Sequence, residues 1–174
     1  MISHVALLRG INVGGGNRLP MADLRAIAAD LGWDDARTYI ASGNLVFRAP
    51  EGAHGPALAA AIEARLGLTI PVLVLEDGRF RAIAAACPFD PENGKDAHVY
   101  FTFAPPGIDT ELYEDLKAES ETLTAGDGAV YLHAPDGIGR SKLVEKLHKV
   151  VTGTDLTGRN LNTVRKILDM LAAD

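Results

Sequence analysis

Apolar residues recur first at strand spacing and then at helical spacing, twice over and in the same order. Turn residues punctuate both series. These observations predict an α+β protein of two ferredoxin-like halves, each of the order strand, helix, strand, strand, helix, strand. The 174 residues, 47% of them hydrophobic, suffice for two small packed halves with real cores. The boundary is placed between residues 76 and 77, giving halves 1–76 and 77–174.

In the first half, Val5 to Leu8 is a short buried strand. Met21, Leu24, Ile27, Ala28 and Leu31 then follow a helical stripe, with Pro20 at its start and Gly32 at its end, so a helix spans about 20 to 31. Residues 37–41 and 45–48 are strand-like runs around Ser42-Gly43-Asn44, a hairpin signal. A helix from about Pro56 to Leu66 ends at Gly67, and Val72 to Leu75 closes the series.

The second half opens with a connecting helix near 78–87. His98 to Phe103 is a strand, and Asp109 caps a helix carrying Leu112, Tyr113 and Leu116. Strands at 122–124 and 129–133 flank Gly126-Asp127-Gly128. Leu143, Val144, Leu147, Val150 and Val151 predict one continuous helix. The sixth element is a short stretch, Asp155 to Thr157, before a last helix bearing Val164, Ile167, Leu168 and Leu171.

A net charge of −6 argues against a general nucleic-acid coat, but the charge is uneven. Between Gly137 and Leu168 seven basic residues face two acidic ones, a local excess of +5 that marks a candidate anion site. No apolar run is long enough to cross a bilayer and no signal-peptide pattern opens the chain. One cysteine, Cys87, excludes an internal disulfide framework and fits a reducing cytoplasm. It is read as a small core residue.

Three segments carry polar chemistry. Arg9 to Asn17 includes three consecutive glycines. It fails the P-loop pattern, because Gly16 and Asn17 stand where lysine and a hydroxyl belong. What it retains is a run of backbone N–H groups upstream of a helix, flanked by Arg9 and Asn12. In Gly137-Ile-Gly-Arg-Ser-Lys-Leu143, Ser141 is a helix N-cap, and Arg140 and Lys142 crowd an end where positive charge opposes the dipole by about 0.3–1 kcal/mol each. In Thr157-Gly-Arg-Asn-Leu-Asn-Thr163, Asn160 or Asn162 caps the last helix beside Arg159. Ser42 and Asn44 are first of all turn residues. Catalytic signatures such as G-x-S-x-G, H-E-x-x-H and C-x-x-C are absent, and Glu145-x-x-His148 is a single surface pair. His4, His98 and His133 fall on strands as packed or solvated side chains, while Phe101 and Phe103 share a core-facing side.

Taken together, Leu8-Arg-Gly-Ile-Asn-Val-Gly-Gly15, Pro20-Met21, Tyr39 to Phe47, Pro88-Phe89, Gly137 to Leu143 and Thr157 to Val164 resemble the bacterial family called domain of unknown function 1697. The resemblance covers nearly the full chain and implies a pair of ferredoxin-like units with no established reaction. Two positions depart from it. Gly16 stands where the family often has lysine, and Leu161 where it often has tryptophan.

The sequence thus supports an anionic or phosphate-bearing ligand in a polar groove between the halves. Arg9, Asn12, Gly14 and Gly15 form one wall, bordered by Ser42 and Asn44. Arg140, Ser141, Lys142, Arg159, Asn160 and Asn162 form the other. Alternatives are an enzyme acting on a phosphoester or nucleotide in that groove, a nucleic-acid-binding module, or motifs that lock the halves or a homo-oligomer together. No cofactor or metal is indicated, and the ligand and oligomeric state are not specified.

Overall fold

The structure is a computed structural model and describes residues 1–173. The chain forms two compact units, Met1–Arg81 joined by the chain from Ile167 onward, and Ala82–Lys166. The division falls inside two helices, so the end of the last helix groups with the first unit rather than with the second half expected from the sequence.

The first unit follows the expected order: β1 (Ile2–Leu8), α1 (Met21–Asp30), β2 (Asp34–Tyr39), β3 (Asn44–Ala49), α2 (His54–Leu66) and β4 (Val72–Glu76). Its four strands form one antiparallel sheet in the order β2-β3-β1-β4. Register follows alternation, because Ala6, Leu8, Leu45 and Phe47 bury one face against α1 and α2 through Leu24, Ile27, Leu58 and Ile62. Each of the leucine, isoleucine and phenylalanine side chains contributes about 1.5–3 kcal/mol relative to exposure. Trp33 stacks on Phe47 with ring centroids 3.9 Å apart. At the helix end, Gly67 takes the left-handed conformation that closes α2.

The second unit begins within α3 (Asp77–Ala85). It continues through a 3-10 turn at Gly94–Asp96, β5 (Ala97–Thr102), β6 (Gly107–Ile108), α4 (Thr110–Leu116), β7 (Thr122–Ala125) and β8 (Ala129–His133). The remaining elements are α5 (Lys142–Glu145), α6 (Leu147–Val150), β9 (Val151–Thr152), β10 (Leu156–Asn160) and the start of α7 (Leu161–Ala172). The main sheet runs β10-β5-β8-β7, the same relative strand order as in the first unit. Leu123, Val130 and Leu132 pack with Leu143, Leu147 and Val150. Asp109 caps α4 by accepting the Leu112 N–H at 3.0 Å.

Three expectations for this unit change. The single helix expected from Leu143 to Val151 is two short ones, broken at Lys146, where the Lys149 N–H turns tightly back onto the Lys146 carbonyl at 2.9 Å. Its last residue, Val151, joins β9, which pairs with β6. Second, the stretch Asp155 to Thr157 gives way to a longer strand that excludes Asp155: the five residues Leu156–Asn160 pair with β5 along their whole length. That strand escapes periodicity because its inward residues are the polar Thr157 and Arg159. Third, Phe103 lies beyond β5 and is exposed, so it does not share the burial of Phe101.

Candidate functional site

In the first unit, two of the motif segments meet at one end of the sheet. The Leu8 N–H donates to the Gly43 carbonyl at 3.0 Å, and Asn12 Nδ2 donates to the Ala41 carbonyl at 2.8 Å. Asn12 also clasps its own loop, through Nδ2 to the Leu19 carbonyl at 2.9 Å and Oδ1 from the Leu19 N–H at 2.8 Å. The three-glycine run is a tight turn. Gly14 and Gly15 both have positive φ, as a type I′ turn requires, and the Gly16 N–H is bonded to the Val13 carbonyl at 3.2 Å. Gly14 and Gly15 therefore serve the turn, and Arg9 stands exposed at its base. Asn44 is fully buried, and its Nδ2 donates to the Tyr39 carbonyl and to Ser42 Oγ, at 2.8 and 3.1 Å.

In the second unit, Arg140, Ser141 and Lys142 line a cavity of about 330 Å³ together with Asp115, Lys117 and Glu121. Ser141 is the expected N-cap, its Oγ accepting the Val144 N–H at 3.1 Å. The same hydroxyl donates to Glu121 Oε2 at 2.6 Å, while Glu121 Oε1 accepts the Ala118 N–H at 2.8 Å. Glu121, only 5% exposed, thus accepts two directed hydrogen bonds, one on each carboxylate oxygen. The Arg140 and Lys142 side chains are exposed and make no ion pair among the described residues. Lys117 pairs with Glu114 at 3.8 Å and lies over the Tyr113 ring.

Arg159, Asn160 and Asn162 lie elsewhere. Arg159 is on β10, 6% exposed, with Nη1 donating to Thr157 Oγ1 at 2.9 Å and to the Gly158 carbonyl at 2.8 Å. Burial pushes its guanidinium down to about 10, still protonated at neutral pH. Asn160 supplies the cap of α7, its Oδ1 accepting the Thr163 N–H at 3.0 Å. Asn162 packs against Gly94, where an added Cβ would sit 2.7 Å from the Asn162 nitrogen. Glu121 leads into β7 and Asn160 ends β10, the two edges of a four-stranded sheet, so these clusters stand roughly 14 Å apart by strand spacing.

A shallow groove of about 350 Å³ between α1 and α2, rimmed by the Asp30–Arg65 ion pair, holds none of these residues. Among the described residues no group of three His, Cys, Asp or Glu side chains is placed to hold a metal ion. Nor is any helix among them long and apolar enough to cross a membrane. Cys87 is half-buried beyond the end of α3, and burial raises its thiol pKa. Sequence reasoning missed Asp115, Lys117 and Glu121, whose approach to Ser141 depends on the fold between them and carries no local signal.

Two buried histidines give the fold an acid sensitivity. His4 is held below the ordinary imidazole value by burial first and by His54 second, against the opposing pulls of the Ile2 carbonyl and then Glu76; His98 is lowered by burial, against Asp96. The unfolded chain binds these protons more readily, with an ordinary pKa of about 6.5. Their contribution is complete above that value and is lost as pH falls through the lower folded values. Urea midpoints are expected to fall between about pH 7 and about pH 5, and the fall should shrink in His98→Phe. An identical decline in that variant would remove His98 from the account.

A family model described as "Protein of unknown function (DUF1697)" matches residues 1–131. Among solved structures, a conserved bacterial protein from Streptococcus pneumoniae is similar over 98% of both chains, with 26% identity and a TM-score of 0.70. No curated protein matches the chain. With three quarters of its length under that model and the two-sheet α+β fold on the page, the chain belongs to the DUF1697 family.

Proposed function

We propose that the protein binds a phosphate-bearing or otherwise anionic small ligand at the Arg140-Ser141-Lys142 cavity. The observation that carries this reading is the pair of exposed, unpaired cations on one wall of a cavity of about 330 Å³, with Lys117 on the same lining. Asp115 and Glu121 on the same lining oppose an anion, but Glu121 is buried with both carboxylate oxygens already hydrogen-bonded, and three cations outnumber the two carboxylates. The single cysteine, its thiol pKa raised by burial, supports placing this activity in a reducing cytoplasm. Calorimetric titration with inorganic phosphate, pyrophosphate and ATP tests it. The Arg140→Ala/Lys142→Ala double variant should bind about tenfold more weakly or worse, at unchanged melting temperature. Unchanged affinity in that variant, or no binding of any of the three by the native protein, would defeat the proposal.

A second reading applies to the other motif residues. Asn12, Asn44 and Asn160 direct their side chains at backbone groups of their own loops, which favours a structural role for them.

A further inference from the structure

A second cavity, of about 300 Å³, opens in the first unit where β1, β4 and the start of α2 meet, and its polar lining is His4, His54 and Glu76. His4 Nδ1 lies 3.0 Å from the Ile2 carbonyl. A carbonyl only accepts, so Nδ1 carries the proton and Nε2 presents a lone pair. That Nε2 is buried and makes no hydrogen bond, on a residue 1% exposed. His54 repeats the logic. Its Nε2 lies 2.6 Å from the Pro50 carbonyl and must donate, which leaves Nδ1 as the acceptor. The rings are fixed in an edge-to-face pair 4.8 Å apart, and His4 stacks on Phe47 at 5.1 Å. Glu76 is the cross-strand partner of His4, so both side chains leave the same face of the sheet.

Every polar side chain on this lining accepts hydrogen bonds, and no Lys or Arg is among the described residues that form it. The α2 terminus opposes this through its dipole and the Gly55 N–H, and its other two first-turn positions supply no free donor. Pro56 has no N–H, and the His54 N–H is bonded to the Gly52 carbonyl at 3.1 Å. The complementary occupant donates several hydrogen bonds and carries positive charge. We infer that this cavity is a binding site for a small primary ammonium ion, held by His4 Nε2, His54 Nδ1 and the Glu76 carboxylate.

The probe is ethylammonium chloride, with ethanol as a neutral analogue of similar size, added at constant ionic strength and about pH 7.5 while the two imidazoles are followed by NMR. Ethylammonium should shift both rings saturably and ethanol should not. Glu76→Gln, at an exposed position, should weaken the response about tenfold. His4→Phe keeps an aromatic ring against Phe47, removes the acceptor and should abolish the response. If that variant does not fold, Glu76→Gln alone decides. No saturable shift in the native protein, equal affinity in Glu76→Gln, or saturation of the same rings by zinc chloride but not by ethylammonium would overturn the inference.

Discussion

Gly43→Ala should destabilise the protein by about 3 kcal/mol, read as a lower urea midpoint with an unchanged denaturant slope. Two costs combine. Gly43 sits at φ +94°, where an L side chain is strained by roughly 1–2 kcal/mol. The added Cβ would also lie 2.8 Å from Leu8 Cβ and from Ile11 Cδ1. The Ile11 methyl can rotate away, but Leu8 Cβ is fixed to the central strand of its sheet and moves only with the backbone. Overpacking of this kind costs about 1–3 kcal/mol. The change also loads the Leu8–Gly43 hydrogen bond that ties the glycine-rich loop to the hairpin. A loss below about 1 kcal/mol would mean that the turn relaxes freely and that the hairpin does not fix the loop.

Gly158→Ala should cost about 1–3 kcal/mol in the second unit, for a different reason. Its backbone needs no special conformation, but an added Cβ would sit 2.6 and 2.7 Å from Cε1 and Cδ1 of Tyr100. That ring is held among buried neighbours, and burial pushes its hydroxyl up to about 12. It packs, partly buried, against the cluster that includes Leu132, Leu143 and Leu147, which restricts its retreat. The strain should also disturb β10 at the residue before Arg159. Amide hydrogen exchange in Leu156–Asn160 should therefore accelerate more than in β7, at the opposite edge of the sheet. Equal acceleration along both edges would show a global loss without a local one.

Much of the fold was legible because burial imposes period. Met21 through Leu31, Leu58 through Leu66 and Val72 through Leu75 read directly as helix, helix and strand, since each buries one side against a single layer. The paired strands around Ser42-Gly43-Asn44 were legible from turn chemistry. Strand β10 was not, because Thr157 and Arg159 are polar yet point inward, and the ring over Gly158 comes from a strand more than fifty residues earlier. The break at Lys146 was equally hidden, since Leu143, Leu147 and Val150 keep helical spacing on both sides of it.

The candidate site divides in the same way. Ser141 as a cap and Arg140 and Lys142 as its cationic neighbours follow from the sequence, because capping and charge act within one turn. That Asn12 and Asn44 spend their side chains on backbone groups was decided by the tertiary structure, which brings residues 12 and 41 within hydrogen-bond distance. So was the approach of Glu121 to Ser141 from twenty residues away, and the meeting of His4, His54 and Glu76 around one cavity. The sequence by itself determined most of the helices and strands, the α+β class and the family, since periodicity, turns and motifs are local properties. Only the tertiary structure decided which polar groups are already satisfied and which still face a cavity, because a hydrogen bond requires two partners and the chain does not record how far apart in space they lie.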